Sequence, residues 1–164
     1  MEDNRQEAIK KLKGLIEDID FAMLTTVDMN GVLRSRPMST QKVEFDGDLW
    51  FFTSIQTHKT EEIEKDNRVN VSYAAPDDNV YVSVSGTAEI VQDRAKIEEL
   101  WNPILKAWFP KGLDDPNLCL LKVDAEQAEY WDSASSTIVQ IAGFVKALVT
   151  GKSAHGGENE KINL

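Results

Sequence analysis

The spacing of apolar residues changes along this chain from a helical period to strict alternation. Apolar residues recur at intervals of three and four over residues 4–19, with charged residues between them, which predicts an amphipathic helix. The segments "FAMLTTV", "VLRSRPM", "LWFFTS" and "RVNVSYAA" are strand candidates, and apolar and polar residues alternate along the run "VYVSVSGTAEIV". This alternation predicts β-strands with one buried face.

Short turn signals separate most of these segments. The Asn-Gly pair in "DMNG" predicts a tight hairpin, and "KVEF", "DGD" and "LWFFTS" predict a second one. Gly86 interrupts the longest alternating run and predicts a bulge or a sharp bend. The later runs "LCLLKV" and "AEYWD" predict two more strands. Six or seven strands in mostly sequential hairpins indicate an α+β or mainly β fold, built around a small antiparallel barrel.

Further helices are predicted between and after the strands. Residues 57–66 form a helix if Thr57 is its N-cap, and Asp93 is a good N-cap for the helix that starts at "DRAKIEELW" and that Pro103 ends or kinks. The run "STIVQIAGFVKALVTG" predicts a last helix. We assign residues 1–152 to one domain and residues 153–164 to a polar tail, which we expect to be mobile apart from its last few residues.

Composition excludes several classes of partner. The 164 residues include 28 acidic and 18 basic side chains, which gives a net charge of -10 and no basic stripe. We therefore expect neither nucleic acid nor an anionic membrane surface to be a partner. The N-terminal residues show no signal sequence, and the longest apolar stretch is too short to span a bilayer, so we expect a cytoplasmic protein.

The segment "WFFTSIQTHKTEEIEK" places His58 and Lys59 at the first two positions of the predicted helix. A helix N-terminus attracts negative charge, so a lysine there indicates that an anion binds, held also by the hydroxyls of Thr53, Ser54 and Thr57. The alternative is a solvated Lys59 that pairs with a downstream glutamate.

Cysteine and histidine are too few to indicate other chemistry. Cys119 is the one cysteine and lies in an apolar run, which is typical of a buried side chain rather than a reactive thiol. His58 and His155 are far apart and lack neighbouring ligands, so no metal site is predicted.

Four segments together resemble a known family. The segments "RSRPM", "DGDLWFFTSIQTHKTEEIEKDNRV", "VSVSGTAEIVQDRAKIEELW" and "WFPKGLDDPNLCLLKVDAEQAEYWD" occur in the order typical of the general stress protein 26 group of pyridoxamine 5'-phosphate oxidase-like, FMN-binding split-barrel proteins. The resemblance covers residues 5–150 and implies a six-stranded antiparallel split β-barrel with flanking helices, a homodimer, and FMN at the subunit interface.

The resemblance also implies which residues contact the cofactor. The phosphate of FMN would lie against the turn at Thr53 and Ser54, with His58 and Lys59 reaching its oxygens. The ribityl chain and ring would lie along two strands and near two late tryptophans; the implied contacts are Arg36, Pro37, Met38, Phe52, Trp108 and Trp131. Trp101 is more typical of a packing residue, and Trp50 fits the barrel surface as well as the site.

The chain differs from true pyridoxamine 5'-phosphate oxidases because the segment after "EYWD" contains no arginine, whereas those enzymes bind substrate with an arginine-containing C-terminal segment. No catalytic triad, carboxylate pair or dinucleotide fingerprint competes with a flavin for the chemistry. Two hypotheses remain: a flavin-dependent oxidoreductase or flavin reductase linked to a stress response, and a non-enzymatic module that binds or senses flavin.

Overall fold

One curled antiparallel sheet organises the fold, and the computed structural model describes it over residues 2–41, 44–133, 148–151 and 157–164. The strands are β1 (Phe21–Val27), β2 (Leu33–Ser39), β3 (Asp48–Ser54), β4 (Arg68–Ala75), β5 (Val80–Val91), β6 (Leu118–Ser133) and β7 (Gly157–Asn163). The helices are α1 (Glu2–Ile16), α2 (His58–Lys65) and α3 (Arg94–Leu100), with short 3-10 turns at Pro76–Asp78, Pro103–Ala107 and Gly112–Asp114.

The strand order is β2-β1-β4-β5-β6-β3, and β7 also pairs with β6. Six antiparallel strands curl into a half-barrel flanked by helices, which confirms the predicted split-barrel class. β5 occupies one edge of β6 along most of its length, while β3 and β7 share the other edge.

The barrel interior contains the main core. Inward residues of β1, β4, β5 and β6, such as Leu24, Val71, Val84 and Val123, are fully buried. One face of α1 covers this core with Ile9, Leu12 and Ile16, as the helical period predicts. A second, smaller core packs α3 and the following 3-10 turn against β3 and the start of β6.

Gly86 occupies the predicted irregularity. The register between β5 and β6 shifts by one residue between Ser85 and Gly86, so Glu126 of β6 is the extra residue of a bulge. A Cβ atom on Gly86 would lie 1.9 Å from the carbonyl oxygen of Asp124. Only glycine lets the two strands approach this closely.

The hairpin prediction for "KVEF" is wrong in the part that the structure describes. Lys42 and Val43 lie outside the described residues, and Glu44 and Phe45 are not in a strand, although Phe45 is buried. β3 pairs instead with Leu118–Asp124 of β6, about 70 residues further along the chain. Local alternation cannot reveal such a distant partner.

The end of the chain also differs from the sequence-based expectation. The two strands predicted from "LCLLKV" and "AEYWD" are one 16-residue strand, β6, in which the polar residues between them point outward. Gly157–Asn163 of the expected tail form β7 on the edge of β6. The predicted last helix lies mostly outside the described residues. Within the described part of its range, residues 148–150 are helical.

Among the described residues, no helix has the length and apolarity that crossing a membrane requires.

Candidate functional site

The turn from β3 into α2 has the geometry that the sequence predicts. Thr57 is the N-cap, and His58 and Lys59 are the first two helical residues. The Thr57 side chain does not cap the helix: its Oγ1 donates to the carbonyl oxygen of Ser54 at 3.1 Å and lies 3.0 Å from Thr60 Oγ1. Thr60 Oγ1 donates to the same carbonyl. These bonds fix the conformation of the turn. The first backbone N–H groups of a helix have no partner within the helix, so they are available to a ligand.

A cavity of about 270 Å³ lies where this turn meets β2 and the 3-10 turn after α3. Its lining is mostly apolar and includes a few polar side chains, as is usual for small-molecule sites. It brings together seven of the ten predicted cofactor residues: Pro37, Met38, Phe52, Thr53, Ser54, Lys59 and Trp108.

Lys59 is the cation of this cavity. Its side chain is half-buried, and it has no hydrogen-bond or ion-pair partner among the described residues. Burial, and then the nearby positive charge of Arg36, lower the pKa of Lys59 below its usual value of 10.5. An anion beside Lys59 would favour the charged form of the side chain and raise its pKa again, so the electrostatics favour a negatively charged ligand.

Thr53 also lines this cavity, and its hydroxyl is unsatisfied. The residue is 1% exposed, and its Oγ1 has no hydrogen-bond partner among the residues the structure describes. A buried hydroxyl without a partner costs about 1–3 kcal/mol. A ligand with a polar group at this point would remove that cost.

The walls contain aromatic residues that the sequence did not single out. Phe21, Phe109 and Leu105 line the cavity, and Phe21 meets Trp108 edge-on with ring centroids 6.3 Å apart. Phe21 begins β1 with an exposed aromatic side chain, a property of the folded sheet that the strand pattern does not reveal.

The structure does not bring Arg36, His58 and Trp131 to this cavity within the chain. Arg36 points the other way, toward Thr26 and Glu62. The His58 side chain is 98% exposed, with its Nδ1 3.8 Å from Glu61. Trp131 lies far along β6, beside Tyr81 and Asn159, on the exposed face of the sheet. Their predicted cofactor contacts therefore stay predictions.

The other tryptophans and the cysteine have structural roles. Trp101 packs edge-on against Phe52, which lines the cavity, and the two ring centroids are 5.6 Å apart. Trp50 lies on the barrel surface under the ammonium groups of Lys96 and Lys122. Cys119 is fully buried opposite Thr53, and burial raises its pKa to about 11, as expected for an unreactive thiol.

A larger cavity of about 480 Å³, between α1 and β3, fits an anion poorly. Its charged lining among the described residues is mostly acidic and includes Glu17, Asp18 and Asp48. The cation there, Lys13, is already paired with Glu44 at 2.8 Å. The smaller cavity beside α2 is therefore the candidate site.

The fold is that of a split-barrel protein, and the cavity at the β3–α2 turn is its candidate anion site. The family model described as pyridoxamine 5'-phosphate oxidase like matches residues 7–155, and the chain belongs to that family. This confirms the family that the sequence motifs indicated.

Two relatives extend the comparison. The chain is 33% identical to Protein bli-3 of Neurospora crassa over 158 residues, covering 90% of this chain and 76% of that protein. It is 28% identical to General stress protein 26 of Bacillus subtilis over 143 residues, covering 84% of this chain and 98% of that protein.

Two solved structures share the fold. A general stress FMN/FAD binding protein from Xanthomonas citri is 30% identical, with a TM-score of 0.64 over 83% of this chain and 93% of that one. A Clostridium acetobutylicum protein related to general stress protein 26 has a TM-score of 0.72 over 97% of this chain and 96% of that one. At 21% identity, the second likeness shows the fold alone.

Proposed function

We propose that this protein binds FMN in the cavity beside α2 and acts as a flavin-dependent oxidoreductase or flavin reductase in a stress response. The observation that carries the proposal is the half-buried Lys59, unpaired within the described part of the chain, at the first turn of α2. The unsatisfied Thr53 hydroxyl fits a polar group on the same ligand. The FMN/FAD binding of the similar Xanthomonas citri protein supports a flavin.

Each part of the cavity has a distinct task in this proposal. Lys59 and the first backbone N–H groups of α2 hold the phosphate, and Thr53 donates a hydrogen bond to it or to the ribityl chain. Pro37, Met38 and Trp108 form apolar walls that exclude water from the ring. Bound FMN supplies the electron-transfer chemistry, and the protein supplies position and electrostatics.

Replacing Lys59 with alanine tests the phosphate contact. We expect Lys59→Ala to weaken FMN binding by about 1.5–3 kcal/mol, because a charge-assisted hydrogen bond is lost. Riboflavin, which lacks the phosphate, should bind both proteins alike. Fluorescence titration of both flavins measures the difference.

Lys65→Ala is the matched control, since Lys65 lies on the same helix but donates to the carbonyl oxygen of Met29 outside the cavity. The control should leave both affinities unchanged. An equal loss for FMN and riboflavin in Lys59→Ala would refute the phosphate assignment.

We also propose that the protein is a homodimer that completes the flavin site at its interface. The cavity of one chain is small for a whole flavin nucleotide, and it opens next to an exposed, almost uncharged sheet face. Two rows of neighbours cross this face. The first row is Pro37, Met23, Ser72 and Ser83, which the charged Glu129 continues on β6, and the second is the uncharged Ser35, Thr25, Asn70, Ser85 and Gln127. Such a face on a chain of net charge -10 suits contact with a second copy.

A non-enzymatic flavin-binding or sensing role is the alternative. A reduced nicotinamide donor separates the two roles, because an oxidoreductase would bleach the absorbance of bound FMN and pass electrons to an acceptor. Tight FMN binding without reduction by NADH or NADPH would favour the binding module.

A further inference from the structure

The barrel is open along one side, and the larger cavity lies at the opening. The sheet order ends in β2 and β3, and among the described residues no hydrogen-bonded pairing joins these two strands. Residues of β3, residues that directly follow β2 and the last turn of α1 line the cavity of about 480 Å³, which we call the barrel cavity. This volume is within the range of about 300–1,000 Å³ that is usual for small-molecule sites, and barrel openings are common places for them.

The strand β3 separates the barrel cavity from the candidate flavin cavity. Phe51 lines the barrel cavity and packs in the main core, whereas Phe52 lines the smaller cavity and packs in the second core. Successive residues of a strand point to opposite faces of the sheet, so the two cavities lie on different sides of β3. A ligand can therefore occupy one of them without displacing a ligand from the other.

Tyr73 brings a hydroxyl without a partner to the barrel cavity. The residue lies on β4 between Ala22 and Val82, is 3% exposed and lines the cavity. Its hydroxyl makes no hydrogen bond with any described residue, and burial is what raises its pKa above the usual value of 10.0. The hydroxyl is therefore protonated at neutral pH and can donate a hydrogen bond.

This hydroxyl is not sealed inside the core. Among the fully enclosed side-chain polar atoms of the described residues, Thr53 Oγ1 is the one that lacks a partner. The Tyr73 hydroxyl also lacks a partner, so it must reach open space, and the space that Tyr73 lines is the barrel cavity. A ligand there can accept the hydrogen bond that the protein leaves unmade.

The rest of the lining favours an uncharged, apolar ligand. Buried apolar side chains form much of it: Ile16, Phe45, Leu49 and Phe51. The acidic side chains that also line it repel anions. Two of these acids call for no cation, because Glu44 is paired with Lys13 at 2.8 Å and Asp48 with Lys122 at 3.3 Å.

We propose that the barrel cavity is a second binding site, which takes an uncharged, mostly apolar ring compound whose carbonyl oxygen accepts a hydrogen bond from Tyr73. The site is separate from the proposed flavin cavity and does not depend on FMN. Water can satisfy a lone hydroxyl, but it leaves the apolar walls hydrated, whereas a ring compound covers them as well.

Three probes with the same ring test the class of ligand. Acetylnaphthalene carries a carbonyl acceptor, ethylnaphthalene lacks it, and naphthoate replaces it with a negative charge. In equilibrium dialysis against the full chain without FMN, we expect acetylnaphthalene to bind at least about tenfold more tightly than naphthoate. No binding of acetylnaphthalene, or equal affinities for the ketone and the anion, would overturn the proposal.

Tyr73→Phe removes the hydroxyl and keeps the ring. We expect the affinity for acetylnaphthalene to fall by about five- to tenfold, because the carbonyl loses its donor, and the affinity for ethylnaphthalene to change by less than about twofold. An unchanged affinity for acetylnaphthalene, or an equal loss for both probes, would show that Tyr73 does not bind the carbonyl.

Tyr130→Phe is the matched control. Tyr130 is also 3% exposed, but it does not line the barrel cavity and its hydroxyl donates to Glu160 at 3.1 Å. This variant should leave both affinities unchanged and lower the melting temperature, whereas Tyr73→Phe should leave the melting temperature unchanged or raise it. An equal decrease in both variants would mean that the Tyr73 hydroxyl already has a partner, and the proposal would fail.

Trp108→Ala tests which cavity the probes occupy. Trp108 lines the candidate flavin cavity, is 54% exposed and does not line the barrel cavity. Its replacement should leave the affinity for acetylnaphthalene unchanged. A loss in Trp108→Ala together with no loss in Tyr73→Phe would place the probe in the flavin cavity and overturn the second site. Because FMN is absent from these experiments, their failure leaves the proposed flavin binding intact.

Discussion

Thr53 and Thr26 are both buried threonines of the barrel, but their hydroxyl groups differ in what surrounds them. Thr26 Oγ1 both donates and accepts hydrogen bonds in the network with Arg36 and Glu62. Thr53 Oγ1 has no such partner among the described residues, and Thr53 lines the cavity. A buried polar group without a partner is uncommon in proteins, and a bound ligand would be one explanation for it here.

Thr53→Val should therefore affect stability and binding in opposite directions. We expect the free energy of unfolding of the apoprotein to be unchanged or raised by about 1 kcal/mol, because valine removes the unsatisfied hydroxyl. FMN affinity should fall by about 0.5–1.5 kcal/mol. Urea denaturation and flavin titration measure the two effects.

Thr26→Val is the control, and it should destabilise the protein by about 1–3 kcal/mol because it removes one buried hydrogen-bond partner from each of Arg36 and Glu62. If Thr53→Val destabilised the apoprotein as much as Thr26→Val, the hydroxyl of Thr53 would not be unsatisfied.

Sequence reasoning at this scale succeeded where charge and local geometry coincide. The position of Lys59 at the start of α2 could be predicted from the Thr57 N-cap, and the structure places Lys59 in the cavity. The phosphate contact inferred from the helix dipole stays a prediction. The contacts of Arg36 could not be predicted, since its partners Thr26 and Glu62 lie 10 and 26 residues away and nothing in the local pattern pairs them. The exposure of the His58 side chain depends on how α2 is rotated on the barrel, which the sequence pattern does not determine.

At the scale of elements, the bulge opposite Gly86 allows β5 and β6 to curl together. The register shift at Ser85 and Gly86 falls near the middle of the two longest strands. Bulges increase local twist, and a sheet needs such bends to curl into a barrel.

Gly86→Ala should destabilise the protein by about 3 kcal/mol or more, because its Cβ would overlap a backbone oxygen that cannot move aside freely. Gly14→Ala is the matched control: nothing lies within 4 Å of that position in α1, so we expect a gain of about 0.5–1 kcal/mol. Thermal denaturation compares them. Similar effects at both positions would show that Gly86 is not constrained by Asp124.

Elements with a clear period were predicted well, including α1, β1, β4 and β5. β7 was missed because "GENEKIN" is polar and its stability comes from pairing with β6, a property of the partner strand. The single strand β6 was divided in two because its bulge carries acidic residues that resemble a turn.

At the scale of the whole molecule, the almost uncharged outer face of the sheet is the main unexplained surface. On this face, β1, β4 and β5 present the uncharged side chains of Met23, Ser72, Ser83 and Tyr81 to solvent. The cavity opens beside this face through Phe21 and Pro37. A second copy on this face would complete the site.

Ser72→Arg, at the centre of that face, should convert a dimer into monomers because it places a charge in the proposed interface. Asn4→Arg makes a similar change on α1, on the opposite side of the sheet, and should leave the dimer intact. Equilibrium sedimentation reports the mass. A wild-type protein that is monomeric at all concentrations tested would contradict the proposed dimer.

The claim on which the rest depends is that the β3–α2 turn binds the phosphate of a flavin nucleotide. Titration of the purified apoprotein with FMN and with riboflavin, followed by flavin and tryptophan fluorescence, tests this most directly. We expect FMN to bind more tightly than riboflavin by at least about tenfold, the value of one charge-assisted hydrogen bond to phosphate. Equal affinities, or no binding of either flavin, would contradict the account and leave Lys59 as a surface lysine of a split barrel.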